Sequence, residues 1–243
     1  MQVKTIIIQG KPFTYNDESK VITYDSTGVI TKESARQLIL LTQKLFHDIG
    51  LEIYLTFGTL LGAVREKGLI KWDSDVDVYV DDEQKMYDNL QYLSDNGLKL
   101  CRMIKHACYS FKVETVGTSY IDVYIKCPCS KFSIWRYSGN CHLNRNITPN
   151  FYFENGSQEV EYLGIKCKCV ADPERLLEFW YGETWRTPVN SHEGFVYEIP
   201  AAHFVHTFPK RFVKFIIGYK YWKPLVKPNG KHWWFSKKCN VNK

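Results

Sequence analysis

Residues 54–80, YLTFGTLLGAVREKGLIKWDSDVDVYV, decide how the rest of the chain is interpreted. The apolar run at 53–55 predicts a buried strand that breaks at Gly58-Thr59, and residues 60–64 predict one or two helical turns. A strand that passes through a small-residue turn into a helix presents free backbone N–H groups and the positive end of a helix dipole. The segment therefore begins with a structure suited to binding phosphate.

The same segment ends in a predicted acidic strand that carries Asp73, Asp75 and Asp77. Residues two apart on a strand face the same way, so Asp75 and Asp77 are expected to project side by side. Carboxylates held so close repel unless a cation lies between them, and Mg²⁺ or Mn²⁺ with oxygen ligands is the usual solution. Alone, this stretch also fits a solvated strand edge. The glycine turn and the intervening Arg65 and Lys71 favour a metal and phosphate site.

A longer pattern runs through the segment: GTLLGAVR at 58–65, Gly68, Ile70 and WDSDVD at 72–77. It resembles the signature of the LicD and fukutin-related family, and YGETW at 181–185 resembles that family's YG-x-x-W element. The resemblance implies the nucleotidyltransferase fold shared with the polymerase-β-like enzymes. It also implies transfer of phosphocholine, or of a phospho-alditol such as ribitol phosphate, from a CDP-linked donor to a glycan.

A third carboxylate is expected from the strand predicted at 119–125, where Asp122 lies among alternating apolar residues. Burying a lone carboxylate is costly unless it is paired or bound to a metal. In the fold that the resemblance implies, a later strand beside the first supplies such a carboxylate, and Asp122 occupies the corresponding place. The alternative is an ordinary surface position on a strand.

The resemblance assigns roles to these residues. Asp75, Asp77 and Asp122 would hold one or two Mg²⁺ or Mn²⁺ ions against the donor diphosphate. Asp122 or Asp73 would accept the proton of the glycan hydroxyl, and the sequence does not decide between them. Contacts with the donor phosphates are expected from four residues, namely Gly58, Thr59, Arg65 and Lys71.

A helix is predicted to begin at Asp172-Pro173, a cap residue followed by proline, and to end at Gly182. Tyr181 and Trp185 lie at this end, where aromatic side chains are placed to border the substrate pocket. For Trp185 a packing role is an equal alternative.

Two further helices are predicted from apolar periodicity and caps. The first runs from the cap Thr31 to Asp48, with Gly50 as its stop, and the second follows the cap Asp81-Asp82 over residues 83–95.

Strand-like runs complete the expected fold. Residues 3–8 and 20–24 predict a hairpin with Asn16-Asp17 in its turn, and residues 98–104 and 109–114 predict two strands before the one that carries Asp122. Together the elements indicate an α/β (α+β) fold, with a small mixed sheet flanked by helices and irregular insertions.

Sequence composition indicates the cellular compartment in which the protein is expected. The 243 residues are 44% hydrophobic, yet no apolar run approaches the length that spans a bilayer. The start, MQVKTIIIQGKPF, is too short in apolar residues for a signal peptide. We therefore expect a cytoplasmic protein, in which the eight cysteines are reduced thiols or metal ligands. A structural Zn²⁺ site would draw on Cys127, Cys129, Cys141, Cys167 and Cys169, but their C-x-C spacing favours scattered thiols.

Charge divides the chain unevenly. From residue 199 onward there are ten Lys or Arg and no Asp or Glu, although the whole chain is only +6. We expect one catalytic domain over 1–200 and a basic, aromatic extension over 201–243. Such an extension suits peripheral contact with an anionic membrane, for example one that carries a lipid-linked glycan acceptor. It also fits nucleic acid, which the family resemblance disfavours, or simple packing on the protein body.

The expected function is metal-dependent transfer of a phosphocholine or phospho-alditol group from a CDP-linked donor to a glycan hydroxyl, with release of CMP. One alternative keeps the fold but adds a nucleoside monophosphate to a small molecule or nucleic acid. The other is a non-catalytic binding module whose site has decayed.

Overall fold

The computed structural model describes residues 2–20, 28–117, 119–130, 140–143 and 146–188. The chain divides into two compact units. The first comprises Met1–Cys127 and Asn155–Ala171, and the second comprises Pro128–Glu154 and the chain from Asp172 onward. The boundary predicted at residue 200 lies outside the described residues.

The chain begins with a hairpin of two strands, β1 (Gln2–Ile8) and β2 (Lys11–Asp17). Its turn is Gln9-Gly10, and both residues have positive φ, 48° and 79°, as a type I′ turn requires. The prediction of a turn at Asn16-Asp17 is therefore wrong, because these residues lie in β2 itself. Of the second strand predicted at 20–24, Lys20 lies in a turn and the rest falls outside the described residues.

Helix α1 (Lys32–Asp48) follows as predicted, with Thr31 as its cap. The Thr31 side chain accepts a hydrogen bond from the Ser34 N–H at 3.1 Å. Gly50 has a φ of 71°, the left-handed conformation that ends many helices. The buried side chains of α1 recur at helical spacing and are Ala35, Leu38, Ile39, Thr42, Leu45 and Phe46.

The central segment forms strand β3 (Tyr54–Leu55), helix α2 (Phe57–Leu61), a π-helical turn (Gly62–Glu66) and strand β4 (Val76–Val80). Gly58 and Thr59 thus lie inside the first turn of α2, and not in a separate turn before it. Strand β4 begins after Asp75, so of the three acidic residues only Asp77 lies on the strand itself.

The remaining elements of the first unit alternate helices and strands. They are α3 (Glu83–Asp88), α4 (Leu90–Asp95), β5 (Lys99–Ile104), β6 (Cys108–Lys112) and β7 (Tyr120–Ser130). Asp82 caps α3 as predicted, but the single helix expected over 83–95 is divided at Asn89.

The second unit contains β8 (Asn140–Leu143), β9 (Asn146–Pro149) and α5 (Phe151–Glu154). Strands β8 and β9 pair antiparallel. The chain then returns to the first unit with β10 (Ser157–Tyr162) and β11 (Ile165–Val170). It ends, among the described residues, with α6 (Pro173–Tyr181) in the second unit. Asp172 caps α6 and Gly182 ends it, as the sequence predicts.

The sheet of the first unit is mixed, and its strands lie in the order β10-β11-β3-β4-β7-β6-β5. Strands β4 and β7 are neighbours and parallel, whereas β3 pairs antiparallel with β4. Helix α1 covers the apolar face, where Phe46 meets Phe111 of β6 edge to face at 6.4 Å. Because side chains alternate along a strand, Asp77 points to the opposite face from the buried Val76 and Val78. The predicted mixed sheet flanked by helices is confirmed.

Among the described residues, no helix has both the length and the apolar content needed to cross a membrane.

Candidate active site

A row of polar side chains crosses the sheet at one level. Asp77 of β4 is paired in register with Asp122 of β7, and Asp122 is paired with Ser110 of β6. Ser110 is in turn paired with Arg102 of β5. Residues paired directly across neighbouring strands share a face, so the four side chains lie side by side. Adjacent strands therefore bring together two carboxylates that are 45 positions apart in sequence.

Asp75 completes a cluster of three carboxylates. One oxygen from each of Asp75, Asp77 and Asp122 lies within 4.8 Å of the others. Asp77 and Asp122 are buried, and Asp75 is half-buried just before β4 begins. The structure thus brings together the three residues predicted as metal ligands.

Asp73 lies beside this cluster. The Oδ2 atoms of Asp73 and Asp77 are each 3.3 Å from the position that a Cβ on Gly58 would occupy. The Asp73 Oδ2 atom is buried and accepts no hydrogen bond. The Asp73 backbone is held on both sides, since its N–H donates to the Ile70 carbonyl and its carbonyl accepts from the Ile30 N–H.

Burial and mutual repulsion disfavour charge on these carboxylates. Burial raises the pKa of Asp75 well above its usual range, and the Asp122 and Asp73 carboxylates raise it further. Burial, with the Asp75, Asp73 and Asp122 carboxylates, does the same to the pKa of Asp77. Burial raises the pKa of Asp73 to about 6. The protein alone therefore does not balance the negative charge that it gathers here.

Two residues at the start of α2 form hydrogen bonds with Asp77. The Gly58 N–H donates to Asp77 Oδ2 at 3.1 Å, and the Thr59 hydroxyl accepts from the Asp77 N–H at 2.8 Å. Thr59 is buried. Gly58 and Thr59 were predicted to contact donor phosphate, and the contacts described here are with Asp77. Their contact with phosphate stays a prediction.

Backbone strain marks the same turn. Phe57, the first residue of α2, has a φ of 40°, which is rare for a bulky side chain. Its ring packs edge to face on Tyr124 with centroids 4.9 Å apart. Such strain persists only where the surrounding structure enforces it, and here it places the Gly58 N–H on Asp77.

The two predicted phosphate-binding cations occupy different settings. Arg65 lies in the π-helical turn with its side chain 10% exposed, and its Nε donates to Glu66 Oε1 at 2.7 Å. A π-helical turn often marks a functional site. Lys71 is exposed in the turn before the acidic segment. Both belong to the segment that joins α2 to β4, and their contact with a donor stays a prediction.

Sequence interpretation missed the side chains that surround Asp122. Arg102 Nη2 donates to both Asp122 oxygens, at 3.0 and 2.8 Å, and the Ser110 hydroxyl donates to Asp122 Oδ1. The Tyr124 hydroxyl donates to Asp122 Oδ2 at 3.4 Å. Burial still raises the pKa of Asp122, while Arg102 opposes that shift. Tyr120 and Tyr124 lie two residues either side of Asp122, so strand alternation could have found them; Arg102 has no such local signal.

The three carboxylates fit a hard divalent cation. Mg²⁺ takes oxygen ligands at about 2.1 Å, so the ligand oxygens of one ion lie within about 4.2 Å of each other. The three oxygens here lie within 4.8 Å of one another, so small side-chain movements would bring them onto one ion. Oxygen ligands select Mg²⁺ or Mn²⁺ over softer metals. Among the residues that the structure describes, this is the group of His, Cys, Asp or Glu side chains with a geometry able to hold an ion.

The other predicted site residues belong to the second unit, to strand β11 and the end of β7, or to parts of the chain outside the described residues. Tyr181 and Trp185 are buried in the second unit, so their role in binding substrate stays a prediction. Cys167 and Cys169 are buried on β11, and Cys127 is half-buried. The Cys129 and Cys141 side chains fall outside the described residues, as does the extension at 201–243, so the zinc and membrane predictions are untested.

Comparison with known proteins agrees with the geometry. Residues 50–163 match the model of the LicD/FKTN/FKRP nucleotidyltransferase domain. The chain is 22% identical over 167 residues to mouse (Mus musculus) ribitol-5-phosphate transferase FKTN, an alignment that covers 67% of this chain. The chain spans 35% of the length of that relative.

Two solved structures are also similar. Lincosamide antibiotic adenylyltransferase LnuA, in its lincomycin-bound form, is 18% identical with a TM-score of 0.40, over 62% of this chain and 85% of that one. The antibiotic-resistance factor ANT(2'')-Ia is 11% identical with a TM-score of 0.41, over 66% of this chain and 77% of that one. These likenesses are weak, and the fold assignment rests on the family match and on the sheet topology.

Proposed function

We propose, from the premise that residues 50–163 belong to the LicD/FKTN/FKRP family of nucleotidyltransferase domains, that this protein is a metal-dependent transferase. Its donor is a CDP-linked compound and its acceptor is a glycan hydroxyl. The group transferred is phosphocholine or a phospho-alditol, and the other product is CMP. The observation that carries the proposal is the cluster of three carboxylate oxygens within 4.8 Å, built on β4 and β7 within the matched domain.

In this reaction the acceptor oxygen attacks the phosphorus that bears the choline or alditol group. The bond from that phosphorus to the oxygen bridging it to CMP breaks, and CMP leaves with the bonding electrons. A divalent ion held by the aspartates would neutralise the charge that develops on the departing phosphate. Arg65, with Lys71, would bind the diphosphate, and the planar guanidinium can contact two oxygens at once.

The proton of the acceptor hydroxyl needs a carboxylate to receive it, and the contacts favour Asp73 over Asp122. Both oxygens of Asp122 already accept hydrogen bonds from Arg102, Ser110 and Tyr124. The Oδ2 atom of Asp73 accepts none. A base must have an oxygen within hydrogen-bonding reach of the proton that it removes, so Asp73 is the better placed acceptor.

Donor binding tests the proposal directly. Thermal shift and calorimetry with CDP-choline, CDP-ribitol and CDP-glycerol in the presence of Mg²⁺ should reveal at least one donor that stabilises the protein. ATP and CTP should stabilise it less, and the Asp77→Asn variant should lose the response. Glu161→Gln, at an exposed position on β10, is the matched control and should behave as the wild type. Turnover of ATP or CTP with release of pyrophosphate would instead identify a nucleotidyltransferase.

A further inference from the structure

Asp122 accepts more hydrogen bonds from protein side chains than the other clustered carboxylates do. An ionised carboxylate has about four lone-pair positions. Arg102 Nη2 donates to both oxygens, Ser110 donates to Oδ1 and Tyr124 donates to Oδ2. Arg102 and Ser110 take three of these positions, and the Tyr124 hydroxyl, which also hydrogen-bonds to Asp77, approaches the fourth only at 3.4 Å. Asp122 can therefore offer at most one position to a metal ion.

Arg102 is held as firmly as the carboxylate that it contacts. Its Nε donates to the Ser110 hydroxyl at 2.8 Å, and its guanidinium lies 5.6 Å from the centre of the Tyr120 ring. Its side chain is only 19% exposed. The register of β5, β6 and β7 fixes this arrangement, because Arg102, Ser110 and Asp122 occupy successive places across the sheet.

By contrast, the hydrogen-bond partners that the structure describes for Asp75 and Asp77 include no cationic side chain. Asp77 Oδ2 accepts from the Gly58 N–H, the Asp77 carboxylate also interacts with the Tyr124 hydroxyl, and Asp75 accepts from the Tyr120 hydroxyl. These partners are neutral, so two negative charges remain to be balanced on one side of the cluster. On the other side, the guanidinium already balances the charge of Asp122.

We infer that Arg102 occupies, in electrostatic terms, the place of a second metal ion, so that the site takes a single divalent ion between Asp75 and Asp77 before the donor binds. This inference rests on the metal site of the proposed function. Arg102 is then a positioning residue: it holds Asp122 in place and makes a second ion there unfavourable. A guanidinium suits this role because it stays charged and donates in a fixed plane.

The inference predicts a change of stoichiometry when the guanidinium is removed. Substituting Arg102→Met keeps much of the volume but leaves the Asp122 carboxylate without its counter-charge. That carboxylate then gains free lone pairs beside Asp77, its partner in the register. We expect calorimetric and electron paramagnetic resonance titrations with Mn²⁺ alone to give one ion for the wild type and two for Arg102→Met.

Two further variants separate the guanidinium from its surroundings. Arg102→Lys retains the charge and should restore a stoichiometry of one. Lys99→Met removes a positive charge from the same strand without contact to Asp122, and should also give one. Circular dichroism establishes that each variant is folded before it is titrated.

Two ions bound to the wild type without donor would overturn the inference, even if Arg102→Met failed to fold. One ion bound to a folded Arg102→Met would overturn it as well. Neither measurement involves a nucleotide, so a failure here leaves the proposed donor untouched. Conversely, a protein that binds one Mn²⁺ ion but no CDP-linked compound would refute only the proposed function.

Discussion

The stability of the metal-free protein should depend on pH in a direction set by Asp73. Burial raises the pKa of this carboxyl from 3.8 to about 6, so between those values the folded state binds more protons than the unfolded state. The contribution of Asp73 to stability therefore falls as pH rises from about 4 to about 6, and is constant above that range. Asp75 and Asp77, whose pKa values are also raised by burial, act in the same direction.

The substitution Asp73→Asn removes the loss of folding stability that ionisation of the buried Asp73 carboxyl causes. A shift of about two pH units corresponds to about 3 kcal/mol, at 1.36 kcal/mol per unit. At pH 7.5, without metal, the variant should therefore be more stable than the wild type by up to about 3 kcal/mol. For a chain of this size, that corresponds to a rise of roughly 6–12 °C in Tm. At pH 4 the carboxyl is protonated in the folded state and only about half ionised in the unfolded state, so the difference should shrink to less than about 1 kcal/mol.

The assay is urea unfolding in EDTA at pH 4 and pH 7.5, with Glu161→Gln as the control. A matched series in Mg²⁺ should stabilise both proteins, since Asp75, Asp77 and Asp122 are retained in the variant and an ion at 100 times its Kd adds about 2.7 kcal/mol. If Asp73→Asn is no more stable than the wild type at pH 7.5, or is equally stabilised at both pH values, burial of its charge is not the cause.

Three further substitutions or deletions test other parts of the account. Arg65→Ala should weaken CDP-donor binding about 10- to 100-fold in calorimetry, because a hydrogen bond to a charged group contributes about that much affinity. Arg65→Lys should restore the affinity only in part. An unchanged affinity in Arg65→Ala would exclude Arg65 from the donor site. Gly58→Ala places a methyl group 3.3 Å from Asp73 Oδ2 and Asp77 Oδ2, so Mn²⁺ affinity should fall about 10-fold or more while the fold is kept. Equal Mn²⁺ affinity would show that the ion binds elsewhere. The full chain should sediment with phosphatidylserine vesicles at low salt, and neither with neutral vesicles nor in about half-molar NaCl, where charges are screened. Retention of this binding after deletion of 201–243 would assign it to another surface.

Local patterns predicted the acidic site because the chemistry there is local. Alternation along a predicted strand placed Asp75 beside Asp77, although Asp75 lies just before β4 in the structure, and a lone carboxylate among apolar residues singled out Asp122. What the sequence could not supply was the register between strands. The pairing of Asp77 with Asp122, and of Asp122 with Ser110, depends on which strands are neighbours and how they are aligned. Arg102 reaches Asp122 through that register alone.

Errors in the predicted fold have equally physical origins. The hairpin turn was placed at Asn16-Asp17 because these residues favour turns, whereas the chain turns at Gln9-Gly10, where two successive residues adopt positive φ. Apolar periodicity predicted a single helix over residues 83–95, whereas the structure has two helices that meet at Asn89. At the hairpin, Gly10 is itself a local signal for positive φ, and at Asn89 the backbone leaves helical geometry with a φ of −106°.

The most direct test of the central claim is CMP release from a CDP-linked donor by Asp77→Asn, compared with the wild type in saturating Mg²⁺. Asparagine preserves the shape of the side chain and an oxygen for the Gly58 N–H, but it removes a charge from the metal site. Loss of several kcal/mol of charge stabilisation should lower the rate by about 10³-fold or more, while circular dichroism and Glu161→Gln activity remain as in the wild type. Turnover by Asp77→Asn within a few-fold of the wild type would contradict the assignment of this carboxylate cluster as the catalytic metal site.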